Sequence, residues 1–273
     1  MSKKKTSNTK SPLDDKYLRR PGQSLDEKIG ELQGQSLLWI VVSGVLIAGI
    51  LMEWTIALVK IPLEPIFLIS PTLVVLILVI YGYWKLREIK KEIRNNKLGR
   101  DGERFVAECL ENLVRRTGCY VYHDIVLEKN KDKFNLDHII VSTYGIFVVE
   151  TKTRSRPQSP PANIEFDGNS VTLTGHPHDS SPIEQVRRNV KRLREIIPSN
   201  IIQRPFNIIG IVVYPGWFID KEQIRNGKDT WVSNAKYLEF EITKNNPQFT
   251  ADEVTILNDK IREIPGTTSQ LIE

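Results

Sequence analysis

Three charged side chains interrupt two apolar runs in the stretch "DHIIVSTYGIFVVETKT", residues 137–153. Asp137 heads the first run, and Glu150 and Lys152 close the second. Two acids a few ångströms apart repel each other and lose hydration. Their close placement becomes favourable when a hard cation such as Mg²⁺ lies between them. The cation can lower the pKa of a bound water, and an adjacent lysine can hold that water or stabilise developing negative charge. This set suits phosphodiester hydrolysis, and the alternative is an ordinary Glu–Lys pair at the end of a strand.

A β-hairpin would bring these side chains together. Both runs are rich in β-branched residues and meet at "STYG", which predicts two antiparallel strands joined by a tight turn. A further strand is expected at 120–127, followed by a charged turn "EKNKDKFN". Because side chains alternate along a strand, Glu150 and Lys152 project from one side. If the two strands pair across this turn, Asp137 opposes the region of Glu150. The sequence therefore predicts two carboxylates and an ammonium group at one edge of an apolar sheet.

The helix before these strands brings a third acid near them. In "GRDGERFVAECLENLV" the apolar residues recur at helical spacing, with Glu103 at the margin of the apolar face. Residues 85–114 predict one continuous or once-broken helix, in which Gly99 and Gly102 mark the expected break and Asp101 would be the N-cap of a new helix. Glu103 could reach the site, or it could be a first-turn acid that the helix dipole favours.

A later helix, "IEQVRRNVKRLREII", carries both a polar residue near the site and a basic face. Its apolar stripe packs on the sheet, and Gln185 borders that stripe, from where it approaches the site. Arg187, Lys191 and Arg194 line another face and could contact phosphates of a substrate. A solvated basic face is the ordinary alternative. Beyond this helix, residues 206–214 predict another buried strand, and "TADEVTILNDKIREI" predicts a closing helix.

Two long apolar runs precede all of these elements. Residues 37–59 hold a single charge, Glu53, and residues 66–84 hold none. Each run is long enough to cross a hydrocarbon core of about 30 Å as a helix. The short link between them contains two prolines, which predicts a tight helical hairpin. A cleaved signal peptide is the alternative, but the first run starts too late in the chain and lacks a small-residue cleavage pattern.

The basic residues flank the apolar runs and are not spread over the whole chain. Residues 1–35 carry eight Lys and Arg against five Asp and Glu, and residues 85–100 carry seven against two. In residues 101–273 the numbers are 22 and 24, so this part has no global positive field. The positive-inside rule predicts that the N-terminus and the C-terminal domain are cytoplasmic. The N-terminal arm reads as disordered, with basic residues that can touch anionic lipid.

Taken together, these segments resemble the PD-(D/E)xK nuclease fold, and more closely the nuclease-related domain called NERD. The resemblance covers about residues 98 to 215 and is carried by "GRDGERFVAECL", "NLDHIIVSTYGIFVVETKT" and "SPIEQVRRNVKRL". It implies a set of catalytic positions at Glu103, Asp137, Glu150, Lys152 and Gln185. The three acids of that set would bind the metal, Mg²⁺ or Mn²⁺. Members of the family are often fused to other modules, membrane spans among them.

We therefore expect an α/β protein with a restriction-endonuclease-like mixed sheet flanked by helices and preceded by a two-helix transmembrane hairpin. The expected segments are a disordered arm (1–35), the hairpin (36–85), a helical linker (86–98) and the nuclease-related domain (99–273). The expected function is metal-dependent hydrolysis of nucleic acid, DNA rather than RNA, beside the lipid bilayer. The alternative is a catalytically silent module of the same fold that binds nucleic acid or a protein. Homo-oligomerisation stays open.

Overall fold

The computed structural model describes residues 17–59, 65–129, 132–157, 162–198, 200–227, 229–264 and 268–269. Two compact units divide the chain. Residues Ser24–Arg100 make up one, and Met1–Gln23 with Asp101–Glu273 make up the other. We call the first the hairpin unit and the second the α/β unit, and we describe each by itself.

The hairpin unit is built from two helices, α1 (Gln23–Leu58) and α2 (Pro65–Thr117), of which α2 continues into the α/β unit. The two helices run antiparallel. Trp39 and Tyr81 meet edge to face with ring centroids 5.6 Å apart, and Trp54 Nε1 donates a hydrogen bond of 3.0 Å to Thr72 Oγ1. Both helices are long and apolar enough to cross a membrane, and their most apolar stretches are almost entirely exposed on the protein. The expected link between the spans falls largely on residues 60–64, which lie outside the described residues.

Both helices extend beyond the predicted spans. The first begins at Gln23, so the predicted disorder of residues 1–35 is wrong for its helical part, while residues 1–16 lie outside the described residues. Of the two predicted alternatives for residues 85–114, the structure has the continuous helix and not the one broken at Gly99 and Gly102, because α2 runs through both glycines without interruption. Asp101 is therefore an interior helical residue and not an N-cap.

A five-stranded mixed sheet forms the centre of the α/β unit, in the order β2-β3-β4-β7-β9. Its strands are β2 (Tyr120–Lys129), β3 (Asp132–Ser142), β4 (Gly145–Thr151), β7 (Ile208–Val213) and β9 (Thr230–Ser233). The first three pair antiparallel, whereas β4 with β7 and β7 with β9 pair parallel. Both β2 and β3 extend into the charged segment that the sequence predicts as a turn. This is the expected mixed α/β sheet of a nuclease-like fold.

Smaller elements surround the central sheet. A three-stranded sheet in the order β6-β5-β8 consists of β5 (Asn163–Phe166), β6 (Val171–Leu173) and β8 (Phe218–Ile219). A two-stranded sheet pairs β1 (Tyr17–Leu18) with β10 (Thr268–Ser269), which brings the two ends of the α/β unit together. The helices are α3 (Ser181–Ile196), α4 (Leu238–Thr243) and α5 (Ala251–Arg262), with a 3-10 turn at Ala235–Tyr237.

The strands of the α/β unit have nearly continuous apolar sequences because the central sheet is buried in the core. All seven residues of β4 are buried, which is expected of a strand that is covered on both faces. Val106, Leu110 and Leu113 of α2 belong to the same core, as do Ile183 and Val186 of α3. The helix α3 packs on β4 and β7. Buried acids are therefore costly in this core, and three of them, Glu103, Asp137 and Glu150, lie near one another.

Candidate active site

The β3–β4 hairpin brings Asp137 and Glu150 together as expected. The two strands pair from Ser142↔Gly145 to His138↔Val149, and one further step along this register sets Asp137 opposite Glu150. Both side chains are buried. Asp137 Oδ2 accepts a hydrogen bond of 2.7 Å from the backbone N–H of Thr151, which fixes the carboxylate beside the end of β4.

Lys152 lies at the same edge, between a carboxylate and an amide. Its Nζ donates to Glu150 Oε1 at 2.8 Å and to Gln185 Oε1 at 2.8 Å. Gln185 Nε2 in turn donates to Glu150 Oε1 at 2.6 Å, so the three side chains form a closed triangle. Asn189, one turn further along α3, donates to Glu150 Oε2 at 3.1 Å. Every acceptor oxygen of Glu150 is thus held, and the lysine is oriented from two directions.

Glu103 approaches the site from α2. Because the helix is continuous, Glu103 lies many turns from the helix start, and the interpretation of this residue as a first-turn acid is wrong. The close approach depends on Gly102, since a Cβ at that position would collide with Thr153 Oγ1. Glu103 is buried, and the backbone N–H of Gly22 donates a hydrogen bond to its carboxylate. Its Oε2 atom has no hydrogen-bond partner within the described part of the chain.

A fourth acid, Asp124, lies beside this cluster and was not predicted from the sequence. Continuing the β2–β3 register sets it opposite Asp137, but the pairing is interrupted there because Asp124 has φ of +50°. A buried non-glycine residue in the left-handed region is uncommon, and such residues cluster at functional sites. Asp124 accepts hydrogen bonds from Asn135 Nδ2 at 2.7 Å and from Arg19 Nη2 at 2.7 Å.

Burial and mutual repulsion make the acids of this cluster hard to ionise. Desolvation raises the pKa of Glu103 from 4.5 to about 8, and the charges of Asp124 and Glu150 add to the effect. Desolvation also raises the pKa of Asp137 well above its ordinary value, helped by Glu150 and Glu103 and opposed by the bond from Thr151. The pKa of Glu150 is raised by burial, against the opposing charge of Lys152. In the absence of a cation Glu103 therefore holds its proton at neutral pH.

The predicted phosphate-binding side chains are found on a different side of α3. At 100° per residue, Arg187, Lys191 and Arg194 lie roughly 180° to 240° around the helix from Gln185. Two of them are engaged with the protein: Arg187 Nη2 donates to Gly168 O at 3.0 Å, and Arg194 Nη1 donates to Phe206 O at 3.2 Å. The structure therefore does not bring these three side chains to the carboxylate cluster, and their binding role stays a prediction.

One comparison with known proteins identifies the segment that holds the cluster. A family model described as the nuclease-related domain, NERD, matches residues 98–215. This segment is similar to a NERD domain. The match includes the five predicted catalytic positions and Asp124, but neither Arg19 nor the closing helix α5. No curated protein and no solved structure matches the chain.

The carboxylates of this cluster are suitable ligands for a hard cation such as Mg²⁺, but they do not surround it completely. The partnerless Glu103 Oε2 and the buried, partnerless Thr153 Oγ1 are oxygens of the kind that Mg²⁺ prefers. Among the described residues, however, no group of three or more His, Cys, Asp and Glu side chains is close enough to hold a metal ion. A Mg²⁺ ion usually takes only one or two carboxylates from the protein and completes its shell with water and phosphate. The donor set fits that mode of binding.

Proposed function

We propose that this protein is a membrane-anchored nuclease that hydrolyses phosphodiester bonds in nucleic acid, DNA rather than RNA, with Mg²⁺ or Mn²⁺ bound by one or two carboxylates of the set Asp137, Glu150 and Glu103. The observation that carries the proposal is the buried edge of the NERD sheet, where Lys152 is held between Glu150 and Gln185 beside Asp137. A costly cluster of buried acids is favourable when its charge has a cation to balance it. A silent fold gains nothing from that cost.

Each side chain of the cluster has a role in the proposed reaction. A divalent cation, when bound, would polarise a phosphoryl oxygen and lower the pKa of a water molecule. Lys152 would stabilise the negative charge that develops on the phosphate or hold the attacking water. Gln185 orients Lys152 through its Oε1 atom, and Asn189 keeps the Glu150 carboxylate in place. Arg187, Lys191 and Arg194 would contact the nucleic acid only where it extends away from the cleaved bond.

The proposed membrane anchor is the segment 36–85, followed by a helical linker (86–98) and the NERD-containing domain (99–273). Two observations support it: each helix has an apolar stretch long enough to span a bilayer, and those stretches are exposed on the protein. The excess of Lys and Arg in residues 85–100 supports an orientation with both chain ends in the cytoplasm. In that orientation the acids would work in the compartment that contains nucleic acid.

The test is divalent-cation binding and cleavage by the full-length protein in detergent micelles. Asp137→Asn should abolish calorimetric Mn²⁺ binding, because it removes a ligand charge. Lys152→Ala should keep that binding and lower the cleavage rate of a DNA substrate by about 100-fold or more, because it removes an interaction with the transition state. Lys260→Ala is the matched control, since Lys260 forms an ordinary surface pair with Glu263 at 2.8 Å.

The second candidate is a catalytically silent module of the same fold. The slight acidic excess of residues 101–273, with 22 Lys and Arg against 24 Asp and Glu, favours it because a nucleic-acid surface usually has a positive field. The same measurements separate the two functions. Unchanged Mn²⁺ binding in Asp137→Asn, together with no cleavage by the unmodified protein, would leave the silent module as the better description.

A further inference from the structure

The residues that precede the first long helix lie on the candidate active site. We call residues 17–22 the strap. Its start is fixed by pairing of Tyr17 with Ser269 and Leu18 with Thr268 in the β1–β10 ladder. Its end contacts the site itself, where the backbone N–H of Gly22 donates to the Glu103 carboxylate. The family match begins only at residue 98, so the strap is a contribution from outside the NERD segment.

Arg19 holds the middle of the strap through Asp124. Its Nε atom donates to the Asp124 backbone oxygen at 2.7 Å and to Oδ2 at 3.0 Å, and its Nη2 atom donates to Oδ2 at 2.7 Å. The Arg19 side chain is only 10% exposed, and the Asp124 side chain is fully buried. This ion pair joins residues that are 105 positions apart in the sequence. It is the kind of pair whose disruption is costly, because removal of one partner leaves a buried charge without compensation.

The backbone of Asp124 depends on the same contact. Asp124 has φ of +50° within a strand, a conformation that persists only when its surroundings stabilise it. Arg19 binds both the carboxylate and the carbonyl of this residue, and Asn135 Nδ2 binds the other carboxylate oxygen. The contact therefore fixes the interruption of the β2–β3 ladder opposite Asp137. It also fixes the strap three residues ahead of the Gly22 N–H.

We infer that Arg19 is a positioning residue of the hydrolytic site: it clamps the strap to Asp124, so that Gly22 orients the Glu103 carboxylate with Oε2 directed to a bound cation. This inference rests on the proposed function and adds the strap to the site. Partners that orient metal ligands without touching the metal commonly change metal affinity or activity by about 10-fold to 100-fold when they are removed. The active unit is then larger than the NERD segment.

The geometry makes a specific demand on the side chain at position 19. Two guanidinium nitrogens of Arg19, Nε and Nη2, donate to Oδ2 of Asp124. The Nε atom also donates to the backbone carbonyl oxygen of Asp124. A lysine carries the same charge but presents it as a single compact group, so it cannot reproduce this fork. Arg19→Lys separates the loss of orientation from the loss of charge.

The experiment compares the unmodified full-length protein in detergent micelles with Arg19→Lys, Arg19→Gln and the matched control Arg20→Gln. Arg20 is the next residue of the same strap, and it is exposed. For each protein we would measure kcat and KM on a DNA substrate with Mn²⁺, the calorimetric affinity for Mn²⁺, and the thermal midpoint, with the kinetics run well below that midpoint.

We expect Arg19→Gln to lower kcat, Mn²⁺ affinity, or both by about 10-fold or more, with KM for DNA changed less than about twofold. Arg19→Lys should retain much of the thermal stability but still show most of this decrease in kcat or Mn²⁺ affinity. Arg20→Gln should behave as the unmodified protein.

Two results would overturn the inference, and they are distinct. If the unmodified protein neither binds Mn²⁺ nor cleaves DNA, the proposed function fails and the inference fails with it. If the unmodified protein is active but Arg19→Gln lowers only the thermal midpoint, with kcat and Mn²⁺ affinity per folded molecule unchanged, the ion pair is purely structural. In that case the proposed function stands and the positioning role is refuted.

Discussion

Replacing Glu103 by glutamine should stabilise the metal-free protein while weakening its affinity for a cation. Burial and the charges of Asp124 and Glu150 raise the pKa of Glu103 from 4.5 to about 8. Between these two values the folded protein holds a proton that the unfolded chain releases. The contribution of Glu103 to stability is therefore fully present below pH 4.5 and is lost as the pH rises through about 8.

The expected size follows from the same pKa. Over the window in which only the folded state is protonated, stability falls by about 1.4 kcal/mol per pH unit. The loss amounts to about 3 kcal/mol at pH 7 and to about 5 kcal/mol above pH 8 as an upper bound, since local rearrangement reduces it. Glutamine has the shape of the protonated acid and still accepts a hydrogen bond from Gly22, so Glu103→Gln should avoid this loss. We expect the variant to be more stable by about 2–5 kcal/mol at pH 9 and equal to the unmodified protein near pH 4.

Hydrogen exchange of the amides in β3 and β4 is the suitable assay, because it reports on the α/β unit without interference from the long apolar helices. Full-length protein in detergent micelles would be compared with Glu103→Gln at pH 5, 7 and 9 in the presence of a chelator. Glu108→Gln is the matched control, since Glu108 is an exposed acid on the same helix. Addition of Mn²⁺ should stabilise the unmodified protein more than the variant.

A stability difference that does not grow with pH would refute this reasoning. So would a variant that is less stable than the unmodified protein at pH 9, because the carboxylate would then be a stabilising ionised group. A difference of the same size in Glu108→Gln would assign the effect to the net charge of the helix and not to the buried site.

Two further predictions concern the membrane anchor and the contact between helix and sheet. A reporter fused after residue 273 should be cytoplasmic, and a reporter inserted in the α1–α2 link should be outside, as measured by protease protection. A cytoplasmic location of the link would contradict the proposed orientation. Gly102→Ala should destabilise the α/β unit by about 1–3 kcal/mol in the same exchange assay, because the added methyl group collides with Thr153 Oγ1. The control is Gly34→Ala, which meets no atom within 4 Å, and an equal effect of both substitutions would contradict the steric explanation.

The local parts of the site could be predicted because their signals are local. The two apolar runs around "STYG" set the register of β3 and β4 within a few residues, and that register alone sets Asp137 opposite Glu150. The apolar stripe of α3 likewise predicted that Gln185 borders the sheet. The closing helix was predicted from "TADEVTILNDKIREI", and the structure has a full capping box between Thr250 and Glu253 at its start. In each case neighbouring residues in the sequence decide the geometry.

The basic face of α3 could be predicted only in part from the sequence. The same 100° rotation per residue that placed Gln185 at the sheet also sets Arg187 and Arg194 on the far side of the helix. Their hydrogen bonds to Gly168 O and Phe206 O could not be predicted, since both acceptors are backbone atoms of segments distant in sequence. Helix geometry therefore places these arginines on another face than Gln185, as the sequence predicts, but it does not identify what they bind.

The continuity of α2 is a case where packing overrides local preference. Two glycines within four residues favour a break, since each costs about 1 kcal/mol relative to alanine in a helix. Here the absence of a side chain allows a close contact: Gly102 meets Thr153, and a Cβ at Gly99 would lie 3.2 Å from Leu25 Cδ1. The glycines that suggested a break are accommodated because each lies where another element approaches the helix.

Asp124 and Arg19 show what sequence patterns cannot reveal about this site. In "YVYHDIVL" the aspartate occupies an ordinary position of a strand, and nothing in the neighbouring residues indicates a left-handed backbone. Its partner lies in an arm whose composition predicts disorder. Such an arm becomes ordered only where specific contacts offset the entropy of ordering it, and a buried ion pair with three hydrogen bonds is a contact of that kind. Arg19 stabilises the left-handed backbone of Asp124, and Asp124 in turn keeps the segment around Arg19 ordered. The role of each residue therefore depends on the other, and the sequence around either one does not indicate it.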